Sequence, residues 1–295
     1  MIFSPEVEQA RKNNLPIVAL ETAVLTHGLP IPSNIELSLA LEAAVRSVGA
    51  TPATVGFMEG VLHVGLTRAE VEALGQVPPG TQKVSRRDFG VVAARKLNGG
   101  TTVAATMIAA HQAGIQVFST GGIGGVHRNA PFDVSADLIE LGRTPVIVVC
   151  SGAKAILDLP ATLEVLETNG VPVIGYQTDE LPGFYSISSG LPINTRIEHP
   201  GEAVEIARAQ WNAGLTTGIL VVVPPPAEVA VPREKIESII QQAVLEAEEK
   251  NIHGARVTPF LLSRVSELSG GESMKANLAL LLNNARIAAQ IARAF

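Results

Sequence analysis

One cysteine, Cys150, stands among 295 residues. It leaves no internal disulfide to form and predicts a reducing, cytoplasmic setting. Charge is also scarce: Asp, Glu, Lys and Arg make up 17% of the chain, against roughly 25% in an average soluble protein. With 46% hydrophobic residues, that excludes a disordered chain and predicts a large interior, with an oligomer interface as a second use for apolar surface. Positive charge is not in excess. The net charge of −6 lacks the basic field that a duplex nucleic-acid partner requires. The first residues, Met1 to Asn14, hold charged side chains and no apolar signal core. The longest stretch without Asp, Glu, Lys or Arg, Leu97 to His127, holds seven glycines along with Thr, Gln, Asn and His. A membrane span needs about 20 mostly apolar residues, so no membrane is expected.

Common catalytic signatures are missing as well. There is no G-x-x-x-x-G-K-[ST] loop and no G-x-S-x-G elbow. His27, His63, His111, His127, His199 and His253 show neither H-x-x-x-H nor H-E-x-x-H spacing, which argues against a zinc site. Cys150 ends an apolar run and reads as a small buried hydrophobe. Phe184-Tyr185 reads as a core or loop anchor.

Short apolar runs alternate with helical periodicity. Strands are predicted at Pro16–Leu20, Val117–Thr120, Val146–Cys150, Val173–Tyr176 and Gly218–Val223, and a hairpin over Thr54–Phe57 and Val61–Val64. Helices are predicted at Ser33–Val48, Asp88–Leu97, Val103–Ala113, Pro160–Asn169, Pro200–Ala213 and Arg233–Lys250. Thr67-Arg68-Ala69-Glu70 is a capping box for a further short helix ended by Gly75. Pro259–Phe295 reads as helix broken near Gly270-Gly271. Strands separated by helices mean a mainly parallel sheet covered on both faces. The expected fold class is α/β: one three-layer α/β/α domain over residues 1–295, with no linker and no repeat.

Ligands in such sheets bind beyond the carboxyl ends of the strands, and four features fall there. Glu21 follows the first strand, Lys83 precedes Ser85-Arg86-Arg87-Asp88, Gly121-Gly122-Ile123-Gly124-Gly125 follows Val117–Thr120, and Lys154 follows Val146–Cys150. Singly, each has an ordinary reading. A loop Glu or Lys is solvated, and a glycine cluster is either a tight turn or a backbone that lets an anion approach. Together at one sheet edge they point to a site. Asp133 and Asp137, four residues apart, would share one helix face and suit a hard divalent ion; the alternative is that Asp133 caps the helix.

These blocks carry a resemblance. Glu21 to Pro30, Lys83 to Asp88, Gly99 to Met107, Gly121 to Arg128, Asp133 to Leu138, Cys150 to Lys154 and Asn277 to Ala285 together look like the pseudouridine-5'-phosphate glycosidase family, which includes the indigoidine synthase A-like proteins, over nearly the whole chain. The resemblance implies an α/β/α fold, a homotrimer and a divalent metal, manganese or else magnesium or another divalent ion. The small-molecule chemistry it implies is reversible cleavage of the C–C glycosidic bond of pseudouridine 5'-phosphate to uracil and ribose 5-phosphate. By position, Lys154 matches the Schiff-base lysine, Glu21 the proton donor and Asp133 the metal ligand. Lys83, Val103, Ser135, Ala136 and Asp137 match substrate-contacting positions, His127 an active-site histidine, and Asn277 an asparagine near the base. The segment from His127 to Asp133 is about two residues shorter than the family's usual form, with Asn129 where glycine is common.

The chemistry explains the lysine. A C-glycoside has no leaving oxygen to protonate, so the carboxylate pair of an ordinary glycosidase is insufficient. An amine joined to the anomeric carbon can take up electron demand as an iminium when the C–C bond breaks. That amine must attack as the neutral form, although a free lysine titrates near ~10.4, so the site is expected to favour the neutral form. Two other readings use the same residues: a Schiff-base aldolase or lyase on another phosphosugar, and a non-catalytic nucleotide-binding protein.

Overall fold

The computed structural model describes residues 1–250, 252 and 257–295, without the side chains of Pro131, Thr258 and Pro259; His253 lies outside the described residues. The chain opens with β1 (Ile2–Phe3), α1 (Pro5–Lys12), β2 (Ile17–Leu20), α2 (Ala23–His27), α3 (Ser33–Ser47), β3 (Thr51–Met58), β4 (Val61–Val64) and α4 (Arg68–Gly75). There follow β5 (Gln82–Val84), a single 3₁₀ turn (Arg86–Asp88), α5 (Phe89–Ala94), β6 (Gly99–Thr101), α6 (Val103–Gln112), β7 (Val117–Ser119), β8 (Val126–His127), β9 (Ala130–Val134) and α7 (Ala136–Leu141). The remainder is β10 (Ile147–Cys150), β11 (Leu157–Asp158), α8 (Leu159–Thr168), β12 (Val173–Tyr176), β13 (Thr195–Ile197), α9 (Pro200–Asn212), β14 (Ile219–Val222), α10 (Arg233–Glu249), α11 (Val257–Leu268) and α12 (Glu272–Arg293).

The central sheet runs β1-β4-β3-β2-β7-β10-β14-β12-β13, and β6 joins it beside β3. From β3 through β13 every neighbouring pair is parallel; only β4 and β6 meet β3 antiparallel. The reason lies in the strand sequences. Ile147-Val148-Val149-Cys150 and Ile219-Leu220-Val221-Val222 are buried at every position. Successive side chains point to opposite faces, so both faces must be covered, as parallel crossovers require. Helix α12 packs on β2, β7 and β10, and α6 on β2 and β7. The expected three-layer α/β/α arrangement is what forms.

Most predicted elements stand within a residue or two, and Thr67 and Glu70 form the predicted capping box at α4. Two readings are corrected. The helix expected over Asp88–Leu97 opens as the 3₁₀ turn and stops at Ala94, because Lys96 takes a left-handed φ of 53°. Asp133 and Asp137 share no helix face. Asp133 lies in β9, held by the pairing of Val134 with Val126, and Asp137 lies in α7. The cap of α7 is Ser135, whose hydroxyl accepts from the Asp137 N–H at 3.2 Å. The short β1, β5, β6, β8, β9, β11 and β13, and α1, α2 and α7, had no clear periodic signal. Asn129 sits in the turn of the β8–β9 hairpin with φ 59°. Asn is among the few side chains that tolerate this region.

Candidate active site

Strands β2, β7 and β10 lie side by side and parallel. The residues just beyond their carboxyl ends therefore share one edge: Glu21, then Thr120 to Gly125, then Ser151 to Lys154. Pairing continues past the strands. Ser151 N donates to the Gly121 carbonyl at 2.8 Å, Ile123 N to Gly152 O at 3.1 Å, and Lys154 N to Ile123 O at 3.1 Å. The loops after β7 and β10 thus form one hydrogen-bonded ribbon that fixes the Lys154 backbone. Glu21 is tied to the same ribbon, since its carboxylate accepts a short bond from the Thr120 hydroxyl.

The titrating groups sense one another. Burial pushes the Glu21 carboxyl above its usual value, opposed by the Lys154 charge, the Thr120 hydrogen bond and Lys83, and aided by Asp137. Lys83 is held below the usual lysine value, first by loss of water around its ammonium and then by the Lys154 charge, with Asp137 and Glu21 opposing. His27, at the end of α2, is lowered by burial and then by Lys83; its Nδ1 lies 2.7 Å from the Thr26 hydroxyl. Cys150, by contrast, is buried and pushed up to about 12 by that burial, which leaves it inert as a nucleophile.

Lys83 reaches this edge by a different route. In β5 it pairs with Gly100 of β6, and α2 lies so close that a Cβ on Gly100 would meet the Thr26 hydroxyl at 2.0 Å and the Thr22 carbonyl at 2.7 Å. Just after Lys83, Arg86 donates two bonds of 2.6 Å to Glu140 of α7. Burial raises the Glu140 carboxyl, but Arg86 and Thr144 outweigh it and the net shift is downward. This bidentate pair fastens the Lys83 segment to the helix that carries Ala136 and Asp137.

Asp137 is buried, and both its oxygens are occupied. Oδ1 accepts from Ala104 N at 2.9 Å, in the first turn of α6, and Oδ2 from Gly124 N at 2.9 Å. It therefore locks α6, α7 and the glycine run together. Asp137→Asn keeps the shape but turns an NH₂ towards one of these N–H groups. Unfolding in urea is expected to show a loss of about 1.5–3 kcal/mol, the worth of a hydrogen bond to a charged group. An unchanged midpoint would remove Asp137 from this role.

The glycine run is set by close packing. Gly121, Gly122, Gly124 and Gly125 have no left-handed φ, and the Gly124 N–H donates to the Asp137 carboxylate. A Cβ would meet Phe184 at 2.6 Å from Gly122, Ser135 Oγ at 2.2 Å from Gly124 and Thr162 Oγ1 at 2.4 Å from Gly125. The glycines are there because three other pieces of chain close on them.

The structure thus brings Glu21, Lys83, Lys154 and Asp137 within one electrostatic cluster. Val103 is buried at the start of α6. His127 is half-buried on β8, opposite Leu157. Asp133 is exposed on β9, Ala136 is exposed on α7 beside the partly buried Ser135, and Asn277 is partly buried on α12. For a metal, no three His, Cys, Asp or Glu side chains gather among the described residues. The single Asp133 carboxylate suits only a hard divalent ion that keeps most of its waters. Sequence reasoning missed His27, Thr120, the Arg86–Glu140 pair and Asn284. The available signals were a polar residue in an otherwise apolar helix stripe and an arginine directly after a candidate lysine segment.

A family model described as indigoidine synthase A like protein matches residues 6–294. A pseudouridine-5'-phosphate glycosidase of Herpetosiphon aurantiacus is 53% identical over 99% of this chain and 97% of its own. One of Escherichia coli is 49% identical over 99% of this chain and 95% of its own. Among solved structures, an indigoidine synthase A-like protein of Thermotoga maritima superposes with a TM-score of 0.89 at 37% identity, covering 99% of this chain and 94% of that one. The prealnumycin C-glycosynthase AlnA, solved in complex with ribulose 5-phosphate, gives 0.91 at 39% identity, covering 99% and 95%.

Proposed function

The chain belongs to the indigoidine synthase A like family, and from that premise we propose that it reversibly cleaves the C–C glycosidic bond of pseudouridine 5'-phosphate, giving uracil and D-ribose 5-phosphate through an imine on Lys154. The observation that carries this reading is the meeting of Glu21 and Lys154, beyond the carboxyl ends of β2 and β10, with Lys83 of β5, in a chain about half identical to named pseudouridine-5'-phosphate glycosidases.

In the cleavage direction, Glu21 gives a proton to the ribose ring oxygen as the ring opens, and the Lys154 amine bonds to the anomeric carbon. The proton that the Lys154 nitrogen sheds on bonding is delivered to the uracil carbon, and the C–C bond can then break. Its electron pair leaves with uracil, and the nitrogen lone pair closes to an iminium. Water adds to that carbon and releases ribose 5-phosphate with the amine restored. Burial of Glu21 keeps more of it in the acid form that such a donor needs. Lys83, which burial makes hold its proton less tightly than an exposed lysine, is placed to relay the proton that Lys154 must lose before it attacks. Asn277, His127, Val103, Ser135 and Ala136 complete the substrate contacts in this reading, and Asp137 acts by holding the glycine run. Asp133 would hold the metal, manganese or magnesium, and a bound divalent ion supplies positive charge to offset a phosphate. We assign the whole of residues 1–295 to one domain, assembled as a homotrimer in the cytoplasm, on the family resemblance. Among the described residues no helix is long and apolar enough to cross a membrane.

Incubation with pseudouridine 5'-phosphate and a divalent metal is expected to release uracil, followed by chromatography. No uracil in either buffer or metal series would reject the proposal. For the metal, chelation or Asp133→Ala is expected to cut turnover strongly while thermal unfolding stays in place, since Asp133 is exposed and outside the core. Full turnover in chelator would dismiss the metal.

A further inference from the structure

Asn284 lies fully buried on α12, on a face whose neighbours Leu280, Leu281, Ala285 and Ala288 are also buried. Packing alone would be served by an apolar side chain there, because a buried amide is tolerated only when its hydrogen bonds are made. They are made to the two active-site loops. Asn284 Nδ2 donates to the Thr120 carbonyl at 3.0 Å and to the Ser151 hydroxyl at 3.1 Å, with the Gly121 carbonyl at 3.4 Å. Leu281, one turn earlier, presses against Gly121, where a Cβ would come within 3.0 Å of it. Thr120 holds Glu21 by its hydroxyl, and Ser151 opens the loop that ends in Lys154. Asn277 stands two turns before Asn284 on the same helix, so one stripe of α12 carries both.

We propose that Asn284 is a positioning residue for the cleavage reaction, fixing the separation of Glu21 and Lys154 by clamping the Thr120 and Ser151 loops to α12. This rests on the roles proposed for Glu21 and Lys154. The clamp acts on both partners at once, so its loss affects a step that needs both groups in place and not the holding of substrate. A misplacement of about 1 Å can cost on the order of 100-fold in rate. The groups that face Glu21 are Thr120 from the β7 loop, Lys154 from the β10 loop, Asp137 from α7 and Lys83 from β5. Of these, Thr120 and Lys154 hang on the loops that Asn284 holds. Both favour the ionised carboxylate, so loosening them moves the Glu21 titration upward.

The test combines kinetics with the titration of Glu21, followed by ¹³C NMR of glutamate-labelled protein and assigned by the signal lost in Glu21→Gln. In folded Asn284→Ala, kcat is expected to fall roughly 10- to 100-fold with KM within about threefold. Glu21 is expected to titrate at higher pH, as in Thr120→Val, and the double variant should fall short of the product of the two single effects. A Glu21 titration and a kcat both unchanged would overturn the clamp, as would multiplicative effects of the two substitutions. If Asn284→Ala does not fold, Ser151→Ala removes one acceptor and leaves the Thr120 bond. It is expected to slow imine formation on Lys154 and to move the Glu21 titration upward by less than Asn284→Ala would, since only the Lys154 loop is loosened, and an unchanged rate would overturn the link to that loop. If the parent releases no uracil, the proposed activity fails, while the Glu21 titration in Asn284→Ala still decides for or against the clamp.

Discussion

Lys154→Arg will release no uracil and leave no covalent adduct. Borohydride added to the parent enzyme with ribose 5-phosphate should reduce the imine to a stable secondary amine, and peptide mass mapping should place it on Lys154. Arginine keeps the charge and most of the length, but its guanidinium stays protonated near neutral pH and cannot attack the anomeric carbon. Loss of a covalent nucleophile costs roughly 10⁴-fold or more in turnover. The backbone that carries Lys154 is fixed by the 3.1 Å bond to Ile123, so the substitution should leave the fold in place. Lys83→Ala, in contrast, should slow the reaction and still leave some adduct on Lys154. An adduct on Lys83 would exchange the two roles. Turnover with no trapped lysine would end the imine mechanism for this protein.

Glu21→Gln should lower kcat by about 10²- to 10⁴-fold, the usual contribution of a general acid–base group, with KM little changed. The shape and the Thr120 contact remain while the titrating proton is gone. A variant within about threefold of the parent would reduce Glu21 to a structural part, since that is less than about 1 kcal/mol. Stability separates the two cases. The folded protein holds the Glu21 proton more tightly than the unfolded chain does, because burial raises its pKa. Its contribution is therefore fully present below the unfolded value and is lost as pH rises through the folded one. Glutamine carries no such loss. At neutral pH Glu21→Gln should unfold at the same temperature as the parent or higher, and a lower unfolding temperature would contradict the sign.

The buried strands were legible because short β-branched apolar runs are bounded by turn residues and helical segments. Four consecutive apolar residues at Ile147–Cys150 or Ile219–Val222, bounded by helices, leave little choice but a covered parallel strand. The short β8–β9 hairpin and α7 were not legible. Five residues in β9 and six in α7 give too few turns for a period, and Asp133 with Asp137 mimicked one. That mistake came from spacing alone. Strand pairing between Val126 and Val134, a contact between residues on opposite sides of a turn, overrode it.

The sequence by itself determined the α/β class, the strand ends where Glu21 and Lys154 sit, and the family. Each depends on residues close together in the chain or on many short blocks read in order. Only the tertiary structure decided what those residues do to one another. Glu21 and Thr120 are ninety-nine positions apart, Asp137 and Ala104 thirty-three, and Asn284 and Ser151 one hundred and thirty-three. No periodicity reports contacts of that separation. They arise because the parallel order β2-β7-β10 brings three distant strand ends to one edge. Burial there then shifts Glu21 and Lys83 in opposite directions, since removing water disfavours whichever form is charged.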